Sequence, residues 1–215
     1  MPEAVTFQEF AEVDGLDDWR YVNHSLVARF RLAPFAAAGA LIARMGAAAD
    51  EAVHHPDLDL RYPGVVAVAL TTHEIGGVSD LDLSLARTYS RMALEAGADP
   101  LTVESQSVEI AIDTDDANRI RPFWRAALGA REVDGRLADP GRRHPTVWFQ
   151  PSELPTGTRN RVHLDVYVAA DEIDDRIAAT LDAGGRIVTD EFAPTWHVLA
   201  DADGNEVCLS ISDDR

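Results

Sequence analysis

Leu26, Ala28, Phe30 and Leu32 alternate with Val27, Arg29 and Arg31, the period-two pattern of a strand with one face in a core. The Asn23-His24-Ser25 turn lets residues 19–22 fold back as its neighbour. Pro34 opens an alanine-rich helical stretch reaching about residue 50, with Phe35, Leu41, Ile42 and Met45 along one side. Residues 57–62 and 65–72 read as two more strands around the Pro63-Gly64 turn. Ser79, with Asp82 at the third helical position, caps a further helix whose apolar face is Leu81, Leu85, Tyr89 and Met92. The sum is an α+β domain, a four-stranded antiparallel sheet with helices on one face.

Gly97 and Pro100 then bracket a helix stop in EAGADPLTV, which divides the chain into domains over residues 1–97 and 103–215. The second half repeats itself. VEIAIDTDDANRIRPFWRAALGAREV, from Val108, is echoed by VHLDVYVAADEIDDRIAATLDAGGRIV, from Val162. Each copy is a strand, an acidic helix start, an amphipathic helix and a glycine exit, followed by closing strands at residues 146–150 or at 196–200 and 206–210. The expected architecture is a pair of βαβββ units.

Composition narrows the chemistry. The formal charge of −18 would repel nucleic acid and anionic membrane surfaces. No run approaches the roughly 18 apolar residues of a membrane span, so the expected location is cytoplasmic. A single cysteine, Cys208, excludes an intrachain disulfide. All 19 basic residues are arginine, which removes Schiff-base and lysine general-base catalysis. Histidine, carboxylates, hydroxyls or a metal must carry any reaction. His54-His55-Pro56 at a helix end, and His73 in Thr71-Thr72-His73-Glu74-Ile75-Gly76-Gly77 at a strand end, bring three imidazoles to one β unit, where they suit proton transfer near neutral pH. Pro56 forces the residue before it out of helical conformation, so the adjacent rings diverge. That divergence, with no nearby cysteine, argues against a metal there.

The segment EAVHHPDLDLRYPGVVAVALTTHEIGGVSDLDLSLA resembles the pterin-4a-carbinolamine dehydratases: a His-His-Pro, a tyrosine a few residues on, and a Thr-His-Glu-x-Gly-Gly turn before a helix. The resemblance implies dehydration of a 4a-hydroxytetrahydropterin to the quinonoid dihydropterin, a hydro-lyase reaction needing no cofactor, and self-association into a homo-oligomer. It makes His54, His55 and His73 the catalytic residues, and places Asp50, Trp19, Pro56, Thr72 and Glu74 at the substrate. Asp82 matches a family acid, for which capping is the economical role. Val53 stands where the family has Asp or Asn, and Pro63 where it has Asn or Gly.

The second half resembles the glyoxalase-like branch of the vicinal-oxygen-chelate superfamily. The resemblance rests on Phe123-Trp124 before Leu128-Gly129, on Asn160-Arg161-Val162-His163-Leu164-Asp165, and on the run Asp201-Ala202-Asp203-Gly204-Asn205-Glu206-Val207-Cys208. It implies a divalent-metal set of Glu109, Gln150, His163 and Cys208, one from the first and one from the last strand of each unit. A thiol in the fourth slot mismatches a hard metal and weighs against a bound ion, unless the ion is zinc-like or iron-like. Trp124, Trp148, Phe149 and Trp196 are candidates to line an apolar bowl for a planar ligand. Two alternatives stay open. The first half is a non-catalytic dimerisation or regulatory module joined to a small-molecule-binding second half, or the second half is itself a metal-dependent lyase or dioxygenase.

Overall fold

The computed structural model describes residues 2–102, 105–141, 144–152, 162–200 and 206–211. The phrases Asn160-Arg161 and Asp201-Ala202-Asp203-Gly204-Asn205 lie outside the described residues. The chain forms two compact units, Met1–Ser105 and Gln106–Arg215.

The first unit opens with a short helix, α1 (Phe7–Ala11). Thr6 and Glu9 form a reciprocal capping box, and Phe7 and Phe10 pack on Tyr21 with ring centroids 6.1 Å apart. Strands β1 (Arg20–Val22), β2 (Ser25–Arg31), β3 (Asp57–Arg61) and β4 (Val65–Leu70) form an antiparallel sheet in the order β1-β2-β4-β3. The segment following Gly97 adds a two-residue strand, β5 (Asp99–Pro100), on β2. Its pairing, and the Leu101 amide donating to the Arg29 carbonyl at 2.8 Å, attach the region read as a boundary to the first unit.

Helices α2 (Phe35–Ala52) and α3 (Asp80–Ala96) pack on each other and on this sheet. Ala38, Leu41, Met45 and Ala49 of α2 are buried, a stripe at spacings of three and four. Each large member contributes about 2 kcal/mol of apolar burial. Phe35 and Leu81 depart from the expected faces, being 51% and 47% exposed, because the buried stripes begin at Ala38 on α2 and at Asp82 and Leu83 on α3.

Tyr89 is fully buried on α3 and donates its hydroxyl to the Met45 carbonyl at 2.9 Å. Burial pushes its phenol from the ordinary 10 up to about 12. The unfolded chain therefore ionises first as pH rises, so stability held below pH 10 is lost between about 10 and 12. The loss is on the order of 2–3 kcal/mol. Urea unfolding of the native protein and Tyr89→Phe at pH 9.5 and 11.5 checks this: the alkaline loss should shrink in the variant.

The second unit is a single sheet in the order β11-β12-β13-β10-β6-β9-β8-β7. Its first βαβββ copy is β6 (Gln106–Thr114), α4 (Ala117–Leu128), β7 (Arg131–Val133), β8 (Arg136–Ala138) and β9 (Thr146–Pro151). The second is β10 (Val162–Val168), α5 (Ile173–Asp182), β11 (Arg186–Thr189), β12 (Trp196–Ala200) and β13 (Glu206–Ser210). The opening strands β6 and β10 lie antiparallel at the centre, each flanked in parallel by the closing strand of its own copy. Ile120 and Trp124 of α4 pack with Phe149 against Ile112, Leu137 and Val147.

Among the described residues, no helix is long and apolar enough to cross a membrane.

Candidate active site

Helix α2 ends in a left-handed turn at Val53 (φ 51°, ψ 36°). The Val53 amide donates to the Asp50 carbonyl at 3.2 Å and the His54 amide to the Ala49 carbonyl at 3.1 Å, the hydrogen-bond pair of a helix-terminating Schellman motif. This reversal separates the adjacent histidines. The His54 side chain is only 10% exposed and its Nε2 lies 2.7 Å from Asp82 Oδ1. His55 points outward, 63% exposed, with Nε2 3.1 Å from Asp50 Oδ1.

A β-branched residue is poorly suited to left-handed backbone, where the Cβ crowds the following carbonyl at about 1–2 kcal/mol. Asp and Asn, the residues expected at this position from the family pattern, tolerate it far better. Val53→Gly is therefore expected to stabilise the protein by roughly 0.5–1 kcal/mol after the entropy cost of glycine. Chemical denaturation measures it, and an unchanged or lower midpoint would contradict the strain assigned to Val53.

His73 arrives from the other side. Thr72 pairs with Gly77 across a tight loop, its amide donating to the Gly77 carbonyl at 2.8 Å, and Gly76 takes φ 61° within the same turn. The fully buried Asp82 carboxylate ties the two sides together. Its Oδ2 accepts from the Thr72 hydroxyl at 2.7 Å and from the Ser79 amide at 2.8 Å, while its Oδ1 meets His54. Thr72 Oγ1 also lies 2.6 Å from Ser79 Oγ. Asp82 is thus both the helix cap expected from sequence and a buried partner for His54.

All three histidines line one open cleft of about 500 Å³, with Pro2, Glu3, Val53, Thr72, Glu74, Asp80 and Leu81. The amino-terminal residues reach it because the Val5 amide donates to the Val78 carbonyl at 2.7 Å, immediately before the Ser79 cap. The Thr6-Gln8-Glu9 spacing and its flanking phenylalanines were the available signal for this segment. Imidazoles at the surface of a cleft rimmed by carboxylates can give and accept protons to a bound heterocycle.

The remaining expected substrate residues divide. Thr72 and Glu74 line the cleft. Asp50 stands behind His55 as its hydrogen-bond partner, and Pro56 lies just before β3. Neither lines the cleft. Trp19 is a correction. It is 1% exposed, donates Nε1–H to Ser90 Oγ at 2.9 Å and meets Phe30 edge-on, so the core claims it.

In the second unit, strand register puts Glu109, Asp113, His163, Asp165, Trp148, Gln150 and Cys208 on one face of the sheet. The expected metal set is redistributed there. Glu109 is buried and both its oxygens accept from Arg136 Nη1, at 3.1 and 3.3 Å. Gln150 stands opposite Asp113 on β9, separated from β10 by β6. Among the described residues, the groups whose ligand atoms fall within 4.8 Å of one another are His163, Asp165 and Cys208. The expected aromatic bowl is not formed as a set, because Trp124 and Phe149 lie on the helix-covered face. Trp148 lies on the opposite face and donates to Asp165 Oδ2 at 2.8 Å, and Trp196 stacks on Phe192 at 4.4 Å.

Fold and cleft together define an antiparallel-sheet domain packed with helices and carrying a histidine-lined cleft, joined in sequence to a paired βαβββ domain. Comparison with known proteins agrees in both halves. The family model for pterin 4 alpha carbinolamine dehydratase matches residues 3–92, and that for the glyoxalase-like domain matches residues 109–210. A Chloroflexus aurantiacus protein named "Putative pterin-4-alpha-carbinolamine dehydratase" is 46% identical over 69 residues, covering 32% of this chain and 73% of the relative. A Metallosphaera sedula protein of the same name is 45% identical over 78 residues, covering 36% and 80%. Through its first half, the chain belongs to the pterin-4a-carbinolamine dehydratase family.

Among solved structures, a transcriptional coactivator/pterin dehydratase from Brucella melitensis aligns with 30% identity and a TM-score of 0.40, covering 42% of this chain and 99% of that one. A glyoxalase/bleomycin resistance protein/dioxygenase superfamily member from Vibrio splendidus aligns with 17% identity and a TM-score of 0.31, covering 49% and 97%.

Proposed function

We propose that the first unit dehydrates a 4a-hydroxytetrahydropterin to the quinonoid dihydropterin by histidine acid–base catalysis. Hydroxide leaves poorly, so the departing 4a oxygen needs a proton as its bond to C4a breaks, and N5 must surrender its own proton as the new double bond forms. One proton enters and one leaves, water is lost, and no electron changes hands. The chemistry calls for neither a redox cofactor nor a metal. Two accessible imidazoles on one cleft suit these two transfers, and His55 and His73 are the accessible pair. His54, held by the buried Asp82, lines the same cleft and orients the bound ring.

The observation that supports the reading most is the lining of one cleft by all three histidines, from chain segments 18 or more residues apart in sequence. The test is stopped-flow spectroscopy of the full chain added to freshly formed 4a-hydroxytetrahydropterin. Conversion to the quinonoid form should accelerate in proportion to protein and saturate with pterin. A rate equal to that of buffer would overturn the proposal.

A further inference from the structure

The side chains available for a metal in the second unit differ from those the glyoxalase-like pattern implies, and the difference changes which metal they suit. Glu109 is already neutralised by Arg136, whose guanidinium meets both carboxylate oxygens. Asp165, directly opposite Glu109 across the β6–β10 pair, is fully buried. On its other side, parallel pairing places Cys208 of β13 in register with it. His163 precedes it by two residues on the same face of β10. The three converge through one strand pair and one two-residue step, all held by central strands of the sheet.

The spacing suits a small four-coordinate ion. Ligand atoms about 2.0–2.3 Å from a tetrahedral centre lie roughly 3.3–3.7 Å apart. His163 Nε2 lies 3.5 Å from Asp165 Oδ1, and the three ligand atoms fall within 4.8 Å of one another. The other ring nitrogen of His163 lies 3.9 Å from Asp113 Oδ1, an electrostatic rather than a hydrogen-bond separation. Trp148 Nε1–H, bonded to Asp165 Oδ2, holds that carboxylate with its Oδ1 toward His163.

We infer that the second unit binds a zinc-like divalent ion through His163, Asp165 and Cys208, with Glu109 and Gln150 outside the ligand set. An imidazole, a carboxylate and a thiolate favour zinc or cobalt(II) over magnesium, which prefers oxygen ligands. Three protein ligands leave one coordination position open. Cys208 is the only cysteine of the chain, so any thiolate signal belongs to it without ambiguity.

The test loads the full chain with cobalt(II). A thiolate-to-cobalt charge-transfer band in the near ultraviolet should appear and saturate at one ion per chain. Zinc should abolish it, and a hundredfold excess of magnesium should leave it unchanged. Cys208→Ser should eliminate the band. His163→Ala and Asp165→Asn should weaken cobalt binding at least tenfold, and Gln150→Ala should bind as the native protein does. A second measurement needs no variant: zinc should slow alkylation of Cys208 at least tenfold, whereas magnesium should not. Absence of the band together with unaltered alkylation overturns the inference. So does loss of binding in Gln150→Ala equal to that in Asp165→Asn, which would restore the oxygen-rich set.

Discussion

His55→Ala and His73→Ala are each expected to lower pterin-carbinolamine dehydration by about 100- to 10,000-fold, the range supplied by a positioned general acid or base. Both side chains are exposed at the cleft, so the unfolding free energy should change by no more than about 0.5 kcal/mol. That combination separates a chemical role from a structural one. Stopped-flow turnover beside urea unfolding on the same preparations reads both quantities. Native turnover in either variant would remove that histidine from the proposed proton transfers.

Asp82→Asn should act differently, losing both rate and stability. The carboxylate accepts from Thr72, from the Ser79 amide and from His54, and it is fully buried. An amide keeps the size of the group but cannot accept at both ends. Stability should fall by about 2–3 kcal/mol, the scale of a disrupted buried network that includes a helix cap. Dehydration should fall about 10- to 100-fold through kcat, with KM little changed, because Asp82 does not line the cleft and acts through His54. A purely structural cap predicts another split: lowered stability with native kcat in the folded fraction. Ser79→Ala supplies the comparison, since it removes the hydroxyl that accepts from the Leu81 amide at 3.3 Å while leaving the carboxylate beside His54.

Much of this architecture is legible in the order of apolar residues. Alternation in residues 26–32 marks β2 and the apolar run of residues 65–70 marks β4, and the echo of residues 108–133 in 162–188 marks the two βαβββ copies. Features that depend on distant contacts are less visible. Asp82 looks complete as a cap because its local partner, Ser79, explains it, and its second partner lies 28 residues earlier. Trp19 resembles a pocket aromatic in sequence, yet the fold buries it against Phe30 and Ser90.

Cleft residues from the amino terminus depend on a hydrogen bond from the Val5 amide to the Val78 carbonyl that no periodicity encodes. Asp165 is likewise hidden. Its two-residue spacing from His163 shows that the two share a face, but only the parallel pairing of β10 with β13 brings Cys208 beside it. The departure at Val53 reads as a lost polar group in sequence and as backbone strain in three dimensions.

The histidine site itself can be probed one ring at a time. The chain has seven histidines, and side-chain NMR of the full-length protein, assigned by single substitution, resolves each imidazole as a dihydropterin product analogue is added. The resonances of His54, His55 and His73 should shift together along one saturable isotherm, while those of His24, His144, His163 and His197 stay in place. Saturable pterin binding that leaves the first three unmoved, or that moves His163 in their stead, would contradict the assignment of the cleft as the dehydration site.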